Sequence, residues 1–223
     1  MSSLGRRSLA LAAMVALGGL VPDQAHAQRR NDNFDLLTAA RAGRLADVEA
    51  LLARGAVANS RDRKGDTPLM MAATRGDTAL AQLLLAHGAD VNLADIAGDT
   101  PLMGAAYAGH IAMVRLLLAK AADTRPVDRV GKTAMIYAAG EGHADCVQAL
   151  LDAGVDVNAR YAHGETALMW ASAYGQLPVV ELLLARGADA AVRDDRNKSA
   201  RTIAAEQHQD AVVERLKAAG TPE

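Results

Sequence analysis

The feature that most constrains this chain is a phrase that returns every 33 residues. The triplet Thr-Pro-Leu starts at Thr67 and Thr100, and related triplets start at Thr133, Thr166 and Ser199 with no insertion between them. Self-similarity at a fixed period of about 20–50 residues is the signature of stacked, nearly identical structural units. One such unit cannot bury its apolar face alone, so we expect a linear array with atypical units at both ends.

The same phrase is typical of one known family. A 33-residue period carrying Thr-Pro-Leu, with a pair of alanines two residues later, as at Ala72-Ala73, resembles the ankyrin repeat. The resemblance covers almost everything after about residue 30. It implies an all-α solenoid of about six helix-turn-helix units joined by short β-hairpin-like turns. It also implies that turns and first helices line a concave face that binds partner proteins.

The phase of the repeat divides the chain into units. Residues 28–60 are predicted to be an N-terminal capping repeat, 61–192 four full repeats, and 193–223 a C-terminal capping repeat and tail. The last unit carries Arg201 and Lys217 where inner units carry leucine or another apolar residue. Polar residues at positions that are buried elsewhere indicate that no further repeat stacks on this end.

Helix and turn signals agree with this division. A hydroxyl before the first helix fits an N-cap, and Pro68 and Pro101 fit the first helical position. Glycine recurs in the turns, where a left-handed backbone favours it, and Asn197 replaces it in the last unit. Ala121 interrupts a second glycine series and is followed by the unusual triplet 124–126. We therefore expect a local distortion between the third and fourth repeats.

One position departs from the pattern of the family. The resemblance implies a histidine after Thr-Pro-Leu that ties adjacent turns by hydrogen bonds, but Met70, Met103, Ile136 and Met169 stand there. We expect packing to replace that polar tie at these four positions.

The first 27 residues are a different kind of sequence. Arg6 and Arg7 precede an apolar run from Leu9 to Val21, and Ala25-His26-Ala27 fits a cleavage site. The run of 13 residues is short for a membrane span. Residues 1–27 are therefore predicted to be a signal peptide, which in a bacterium implies a periplasmic protein. The arginine pair resembles a twin-arginine signal, and the secretory and twin-arginine routes both stay open.

Charge and cysteine content narrow the class of protein. Loss of the signal would change the formal net charge from −2 to −3, without the clustered basic residues that nucleic-acid binding needs. After signal cleavage no membrane contact is expected. The single cysteine cannot form an intrachain disulfide, and we expect a monomer whose stability comes from packing.

No enzyme motif is present. The sequence has no phosphate-binding glycine loop, zinc-protease motif or nucleophile elbow, and we expect no catalytic residue, metal or cofactor. His110 and His143 share one repeat position, so packed helices would hold them about 10 Å apart. We assign both to the turn between helices. Cys146 aligns with core positions and is predicted to be a buried, inert thiol.

The aromatic residues indicate a binding face. Tyr137 and Trp170 share a position on the first helix, Tyr107 and Tyr174 lie near its end, and Tyr161 lies in a turn. By the resemblance, all five face the concave surface or its rim. Tyrosine and tryptophan are enriched at interface hot spots. The alternative, packing between neighbouring helices, explains Tyr137 and Trp170 but explains the other pair less well.

Charged residues complete the predicted partner-binding set. They are Arg63, Lys64, Arg75, Arg129 and Glu141. If these charges matter, the partner offers acidic groups near the N-terminal repeats and apolar surface near the fourth and fifth. The predicted function is protein binding in the periplasm. The alternatives are an accessory or chaperone-like subunit of an exported enzyme, and a secreted effector that binds a host protein.

Overall fold

The computed structural model describes residues 22–220, with side chains from residue 27 onward. These residues form twelve α-helices arranged as six consecutive pairs, which confirms the predicted all-α solenoid. The helices are α1 Pro22–Ala42, α2 Leu45–Ala53, α3 Pro68–Arg75, α4 Thr78–Ala86, α5 Pro101–Tyr107, α6 Ile111–Ala119, α7 Ala134–Glu141, α8 Ala144–Asp152, α9 Ala167–Ala173, α10 Leu177–Ala185, α11 Ala200–Glu206 and α12 Asp210–Ala218. Strand-like pairing in this part of the chain is limited to one isolated bridge between Arg193 and Ser199.

The helices stack in two layers. The first helices α1, α3, α5, α7, α9 and α11 each contact the next one in the series, and the second helices do the same. The core lies between the layers. It includes one buried apolar residue in each of the first five repeats, at a 33-residue step: Leu36, Leu69, Leu102, Met135 and Leu168. Removing such a side chain from water contributes roughly 1.5–3 kcal/mol. The alanine pairs of the first helices are also buried, and their small size lets adjacent helices approach closely.

The first helices begin where the sequence predicted. The hydroxyl oxygen of Thr67 accepts a hydrogen bond from the Met70 amide at 3.2 Å, and the equivalent threonines repeat this cap. Ser199 caps the last first helix in the same way. Asn197 has a φ of 61°, so its predicted left-handed conformation is confirmed. The residues that follow Thr-Pro-Leu and its equivalents are buried, as expected if packing replaces a hydrogen bond at this position; they are Met70, Met103, Ile136 and Met169.

The turns are built on aspartates. In four turns the Oδ1 atom of the first residue accepts hydrogen bonds from the amides two and four positions later; these residues are Asp62, Asp95, Asp128 and Asp194. Adjacent turns are joined through the backbone, as by the Ile96 amide and the Lys64 carbonyl at 3.0 Å. The turn of the fifth repeat differs. Tyr161 replaces the aspartate, and a 3-10 turn forms at Ala162–Gly164. In residues 22–220 no backbone hydrogen bond joins this turn to the preceding one at Asp128, whereas the Asp195 amide bonds the His163 carbonyl at 3.0 Å and so joins it to the following one.

A second ladder joins the loops that follow the second helices. Asn158 donates from Nδ2 to the Gly187 carbonyl at 3.3 Å and accepts from the Asp189 amide at 2.8 Å. Asn59 makes the same pair of bonds to the next loop, and Asn92 accepts from the Asp123 amide.

This ladder stops where the sequence predicted a distortion. Arg125 stands at the asparagine position and pairs with Asp123 instead, with 2.9 Å between Nη2 and Oδ2. Pro126 has no N–H and so cannot close the turn as other repeats do. Ala121 takes a φ of 60°, a left-handed conformation that is costly for an L-residue with a Cβ. The ladder is therefore interrupted at the predicted place, while Ala121 keeps the left-handed backbone of the equivalent Gly88, whose φ is 80°.

Successive helix pairs are also tied by side chains at the turn between helices. His110 places Nε2 3.1 Å from the Thr74 carbonyl oxygen, and His143 places Nε2 3.0 Å from that of Tyr107. Gln176 donates to the equivalent carbonyl of Gly140 at 2.8 Å. The assignment of both histidines to this turn is confirmed.

The two ends of the array differ from its inner repeats. Lys217 is exposed at the last helix while its neighbour Leu216 is buried. At the other end, α1 begins at Pro22 and so runs across the predicted cleavage site after Ala27. The predicted signal peptide, apart from its last six residues, lies outside the described residues. None of the helices in residues 22–220 has the length and apolar character needed to cross a bilayer.

Candidate functional site

Four aromatic side chains from three successive first helices form one row, which we call the aromatic strip. Its members are Tyr107 of α5, Tyr137 of α7, and Trp170 and Tyr174 at the end of α9. The Tyr107 and Tyr137 rings meet edge to face with centroids 5.6 Å apart, and the Trp170 and Tyr174 rings stack at 5.9 Å with 13° between their planes. Both are favourable aromatic geometries. The structure therefore brings together four of the five aromatic residues predicted to bind a partner.

A lysine joins the two aromatic pairs. The Nζ atom of Lys132 lies 5.3 Å from the centroid of the Tyr137 ring and 4.6 Å from that of the Trp170 ring. A cation at this range is attracted by the negative ring faces, with a contribution of about 0.5–1 kcal/mol at a partly exposed site. The aromatic strip is thus continuous across the third, fourth and fifth repeats.

The aromatic strip has a fixed base and exposed edges. Tyr137 and Trp170 are half-buried, and the Tyr137 hydroxyl donates a hydrogen bond to Oδ2 of Asp128 at 2.5 Å. Burial and the Asp128 carboxylate together raise the pKa of Tyr137 well above its ordinary value, so the hydroxyl keeps its proton. Tyr107 and Tyr174, in contrast, are 52% and 56% exposed. This arrangement presents apolar area in a preformed geometry.

A groove of about 440 Å³ lies on the N-terminal side of the aromatic strip, and we call it the N-terminal groove. Its apolar lining includes Met70, Met103, Tyr107 and Tyr137. Gly104 opens its floor, because the equivalent positions in other repeats carry Met71, Tyr137 and Trp170. A Cβ atom added at Gly104 would lie 2.8 Å from the Thr74 Oγ1 atom, which is closer than real contacts. The missing side chain therefore shapes the groove.

One wall of the N-terminal groove is acidic. Asp66, Asp95 and Asp99 line it, and Asp128 lies close enough to act on Asp99. Burial, then the neighbouring Asp95, Asp128 and Asp66 carboxylates, raise the pKa of Asp99. The pKa of Asp66 is raised by burial, then by Asp62 and Asp95, against smaller opposing effects of Lys64 and Arg41. This wall therefore concentrates negative charge next to an apolar floor.

A second groove of about 420 Å³, the C-terminal groove, lies on the other side of the aromatic strip. Trp170, Tyr174 and Ile203 form its apolar part. Glu165 and Arg196 form its charged part and pair with each other at 2.9 Å. The charges of this groove thus largely neutralise one another.

The remaining predicted residues are dispersed. Tyr161 is half-buried, packs against the core, and has its pKa raised by burial, so it does not belong to the aromatic strip. Arg63, Lys64 and Arg129 are exposed on the turns, and Glu141 is exposed at the end of α7.

Arg75 lies at the N-terminal groove. Its Nη1 atom donates to the Arg41 carbonyl at 2.6 Å, and its guanidinium lies over Gly43. Both arginines line the groove at the first-repeat end of the lining, with Arg41 paired to Asp62 at 2.6 Å.

Sequence reasoning missed Lys132, Asp66, Asp99 and Gly104. The signal that identifies three of them is a single repeat position just before the helix cap, occupied by Asp66, Asp99, Lys132, Glu165 and Lys198. The signal for Gly104 is a glycine inside a first helix, at a position where other repeats carry large apolar residues.

Neither a metal-binding cluster nor an exposed thiol lies on this surface in the described part of the chain. No group of three or more His, Cys, Asp or Glu residues in the described part of the chain is arranged to hold a metal ion. Cys146 is 1% exposed, and burial raises the pKa of its thiol to about 11. The prediction that Cys146 is buried is confirmed, and the raised pKa favours the neutral thiol.

The comparison with known families gives one result. A family model described as Ankyrin repeats (3 copies) matches residues 36–128 and residues 122–194, well over half of the chain. The matches start within the predicted N-terminal capping repeat and end at the start of the predicted C-terminal one. A search of curated proteins found no match.

Proposed function

Because the chain belongs to the ankyrin-repeat family, whose repeats form protein–protein interaction modules, we propose that it binds a partner protein across the aromatic strip and the two grooves beside it. Ankyrin-repeat proteins are generally not catalysts, in keeping with the site chemistry described above. The face of first helices and turns that carries the aromatic strip is the concave face of ankyrin arrays.

The observation that carries this proposal is the pairing of fixed and exposed rings. Tyr107 and Tyr174 expose about half of their surface, while Tyr137 and Trp170 hold them from beneath. Large aromatic side chains with few rotors lose little entropy when a partner covers them. A preformed surface also avoids the cost of ordering a loop on binding.

The test is partner capture by the chain and by a Trp170→Ala/Tyr174→Ala double variant. Removing two hot-spot side chains is expected to weaken binding by roughly 2–4 kcal/mol. Phe34→Ala is the matched control, because Phe34 is 69% exposed but lies in the N-terminal cap away from the aromatic strip. Circular dichroism establishes that each variant is folded. Equal capture by the double variant and by the control would refute binding through the aromatic strip.

The identity of the captured protein separates the three functional classes. An exported enzyme whose activity falls when this chain is removed would favour an accessory subunit. A host protein would favour a secreted effector. A non-enzymatic periplasmic protein would favour a binding module alone.

We further propose a periplasmic location, which rests on the N-terminal sequence. Fractionation should place the chain in the periplasm, with a mature protein that begins at Gln28. An Arg6→Lys/Arg7→Lys variant distinguishes the routes, since only the twin-arginine route depends on the arginine pair. A full-length chain that stays in the cytoplasm would contradict the proposal.

A further inference from the structure

The position just before the cap of each first helix carries a charged residue in five repeats. These five side chains differ in the groups that they contact. Lys132 lies against the rings of the aromatic strip. Glu165 pairs with Arg196 at 2.9 Å, and Lys198 pairs with Glu206 at 2.5 Å. Asp66 and Asp99 are the exceptions, because no opposite charge lies within ion-pair distance of either carboxylate among residues 22–220.

These two carboxylates also accept none of the hydrogen bonds that hold the turns in the described part of the chain. Asp95 and Asp128 hold their turns by accepting amide hydrogen bonds, whereas in the described part of the chain no hydrogen bond reaches the side chain of Asp66 or Asp99. Every charged group that acts on Asp99 is another carboxylate: Asp95, Asp128 and Asp66. Repulsion between neighbouring carboxylates favours the protonated form, and a cation brought by a partner would relieve the same repulsion while the groups stay charged.

The floor beside these carboxylates is apolar and deep enough for a long side chain. Met70 and Met103 line it, Gly104 leaves it open, and Tyr107 and Tyr137 close its C-terminal end. Lysine and arginine place their aliphatic stems on apolar surface while their charged heads reach a polar region. Tyrosine rings add a cation–π attraction for the same head group.

Resting on the function proposed above, we propose that the N-terminal groove receives a lysine or arginine side chain of the partner protein. The stem lies on Met70 and Met103, and the cationic head lies beside Asp99, with Asp66 as the second carboxylate. The exposed edge of Tyr107 covers the stem.

Charge complementarity decides the occupant. A purely apolar side chain would bury Asp99 beside other carboxylates, and an acidic one would add a further repulsive charge. A metal ion is not favoured, because these carboxylates do not form a group able to hold one in the described part of the chain.

The basic residues nearby do not cancel this preference. Arg41 is paired with Asp62, and neither Arg41 nor Arg75 acts on Asp99. Acidic partner groups are predicted from Arg63, Lys64 and Arg75. Arg63 and Lys64 lie outside the groove lining, and Arg75 lies at its first-repeat end, away from the Asp99 carboxylate on which it does not act. That prediction stays a prediction.

The experiment uses the full chain labelled with nitrogen-15 and titrated with two probes that differ in one charge. The probes are the acetylated tripeptide amides Leu-Arg-Leu and Leu-citrulline-Leu, in which citrulline keeps the shape of arginine without its charge. The arginine probe should shift the amide signals of Asp99, Gly104 and Tyr107 in a saturable way. The citrulline probe should bind roughly fivefold more weakly, as expected for the loss of one partly exposed charge pair.

Two variants make the test specific. Asp99→Asn should lower the affinity for the arginine probe roughly fivefold and leave that for the citrulline probe unchanged. Asp145→Asn is the control, because it removes the same charge from an exposed position on α8. The fold should survive Asp99→Asn, since no hydrogen bond reaches that carboxylate. Equal affinity of the two probes, or equal effects of the two variants, would overturn the proposal.

The outcomes for the two proposals are separable. In one outcome, Asp99→Asn leaves the affinity for the arginine probe unchanged while partner capture still depends on Trp170 and Tyr174. That result would refute the binding of a basic side chain in the groove and leave the proposed binding module intact. If capture is also indifferent to Trp170 and Tyr174, both proposals fail. A Gly104→Ala variant, which adds a methyl group to the floor, should weaken both probes equally if the groove is the binding site.

Discussion

The Nζ atom of Lys132 lies 4.6 Å from the centroid of the Trp170 ring. Lys132 belongs to the fourth repeat and Trp170 to the fifth, so this contact crosses the one pair of adjacent turns, among those the structure describes, that no backbone hydrogen bond joins. A cation–π contact thus connects the two repeats where the turn ladder is interrupted. Because Trp170 is the only tryptophan of the chain, its fluorescence reports directly on this junction.

Replacing Lys132 should therefore loosen the junction. We expect Lys132→Gln to lower the free energy of unfolding by about 0.5–1 kcal/mol and to alter Trp170 emission in the folded protein. Lys120→Gln is the control, since Lys120 is an exposed lysine at the end of α6. Urea unfolding followed by tryptophan fluorescence measures both effects. If both variants have the same midpoint and the same folded-state spectrum, the contact is not stabilising.

The Tyr137 hydroxyl gives a second test of the aromatic strip. Tyr137→Phe keeps the ring but removes the hydrogen bond to Asp128. We expect the free energy of unfolding to fall by about 1–2 kcal/mol, because the acceptor is a charged and buried carboxylate. In the matched Tyr107→Phe variant the lost hydroxyl has no hydrogen-bond partner among the described residues. Its unfolding free energy should stay within about 0.5 kcal/mol of the parent chain. Equal losses in the two variants would contradict a stabilising role for the Asp128 bond.

The strained backbone at Ala121 predicts an unusual gain. Ala121→Gly should raise the free energy of unfolding by about 1 kcal/mol, because glycine adopts a φ of 60° without the Cβ penalty. The reverse change in the preceding repeat, Gly88→Ala, should lose a similar amount. Gly88 has a φ of 80° and nothing within 4 Å of an added Cβ, so only strain would act. Thermal or urea unfolding of both variants checks the opposite signs, and a loss in Ala121→Gly would contradict the argument.

Replacing the Asp99 carboxylate should raise the free energy of unfolding by an amount that depends on pH. Burial, then Asp95, Asp128 and Asp66, raise its pKa in the folded chain above the ordinary 3.8. The folded state therefore disfavours the charged form, and this cost grows as pH rises through the raised pKa. We expect Asp99→Asn to be more stable than the parent chain near neutral pH, with the gain vanishing toward a pH of about 4.

Asp194 is the control, because its replacement should change the free energy of unfolding in the opposite direction. Burial alone would raise the pKa of Asp194, but hydrogen bonds from Lys198 and Arg196 outweigh it and lower the pKa. Its charged form stabilises the fold above the ordinary pKa, and that contribution is lost as pH falls through the lowered value. Asp194→Asn should therefore lose stability near neutral pH. Thermal unfolding of both variants against pH measures the two trends, and parallel trends would contradict them.

Much of this architecture follows from local rules that each repeat carries by itself. The Thr67 cap, the left-handed Asn197 and the break in the asparagine series at Arg125 depend on residues a few positions apart, so the sequence alone predicts them. The partners of Lys132 and Lys198 do not follow in this way. Both occupy the same repeat position, yet Lys132 lies against Tyr137 of its own repeat and Trp170 of the next, whereas Lys198 pairs with Glu206 of its own repeat. The partner depends on residues that differ between repeats, so the repeat position alone does not predict it.

Tyr161 illustrates a second limit of sequence reasoning. Its repeat position in the turn indicated an exposed rim. The replacement of the turn aspartate by tyrosine changes the turn itself to a 3-10 conformation, and the ring packs inward. A substitution that alters the backbone cannot be placed by alignment with the other repeats.

The interrupted turn ladder also bears on how the array bends. Between the fourth and fifth repeats the helices pack, but the turns share no backbone hydrogen bond and the loop at Arg125 lacks the asparagine tie to its successor. We therefore expect the curvature of the array to change most readily at this junction, which lies between the N-terminal and C-terminal grooves. That curvature sets the distance between the two grooves, and so the spacing that two contact points on a partner must have. A partner whose contact points are slightly too close or too far apart can be accommodated by flexing here, without any change inside either groove.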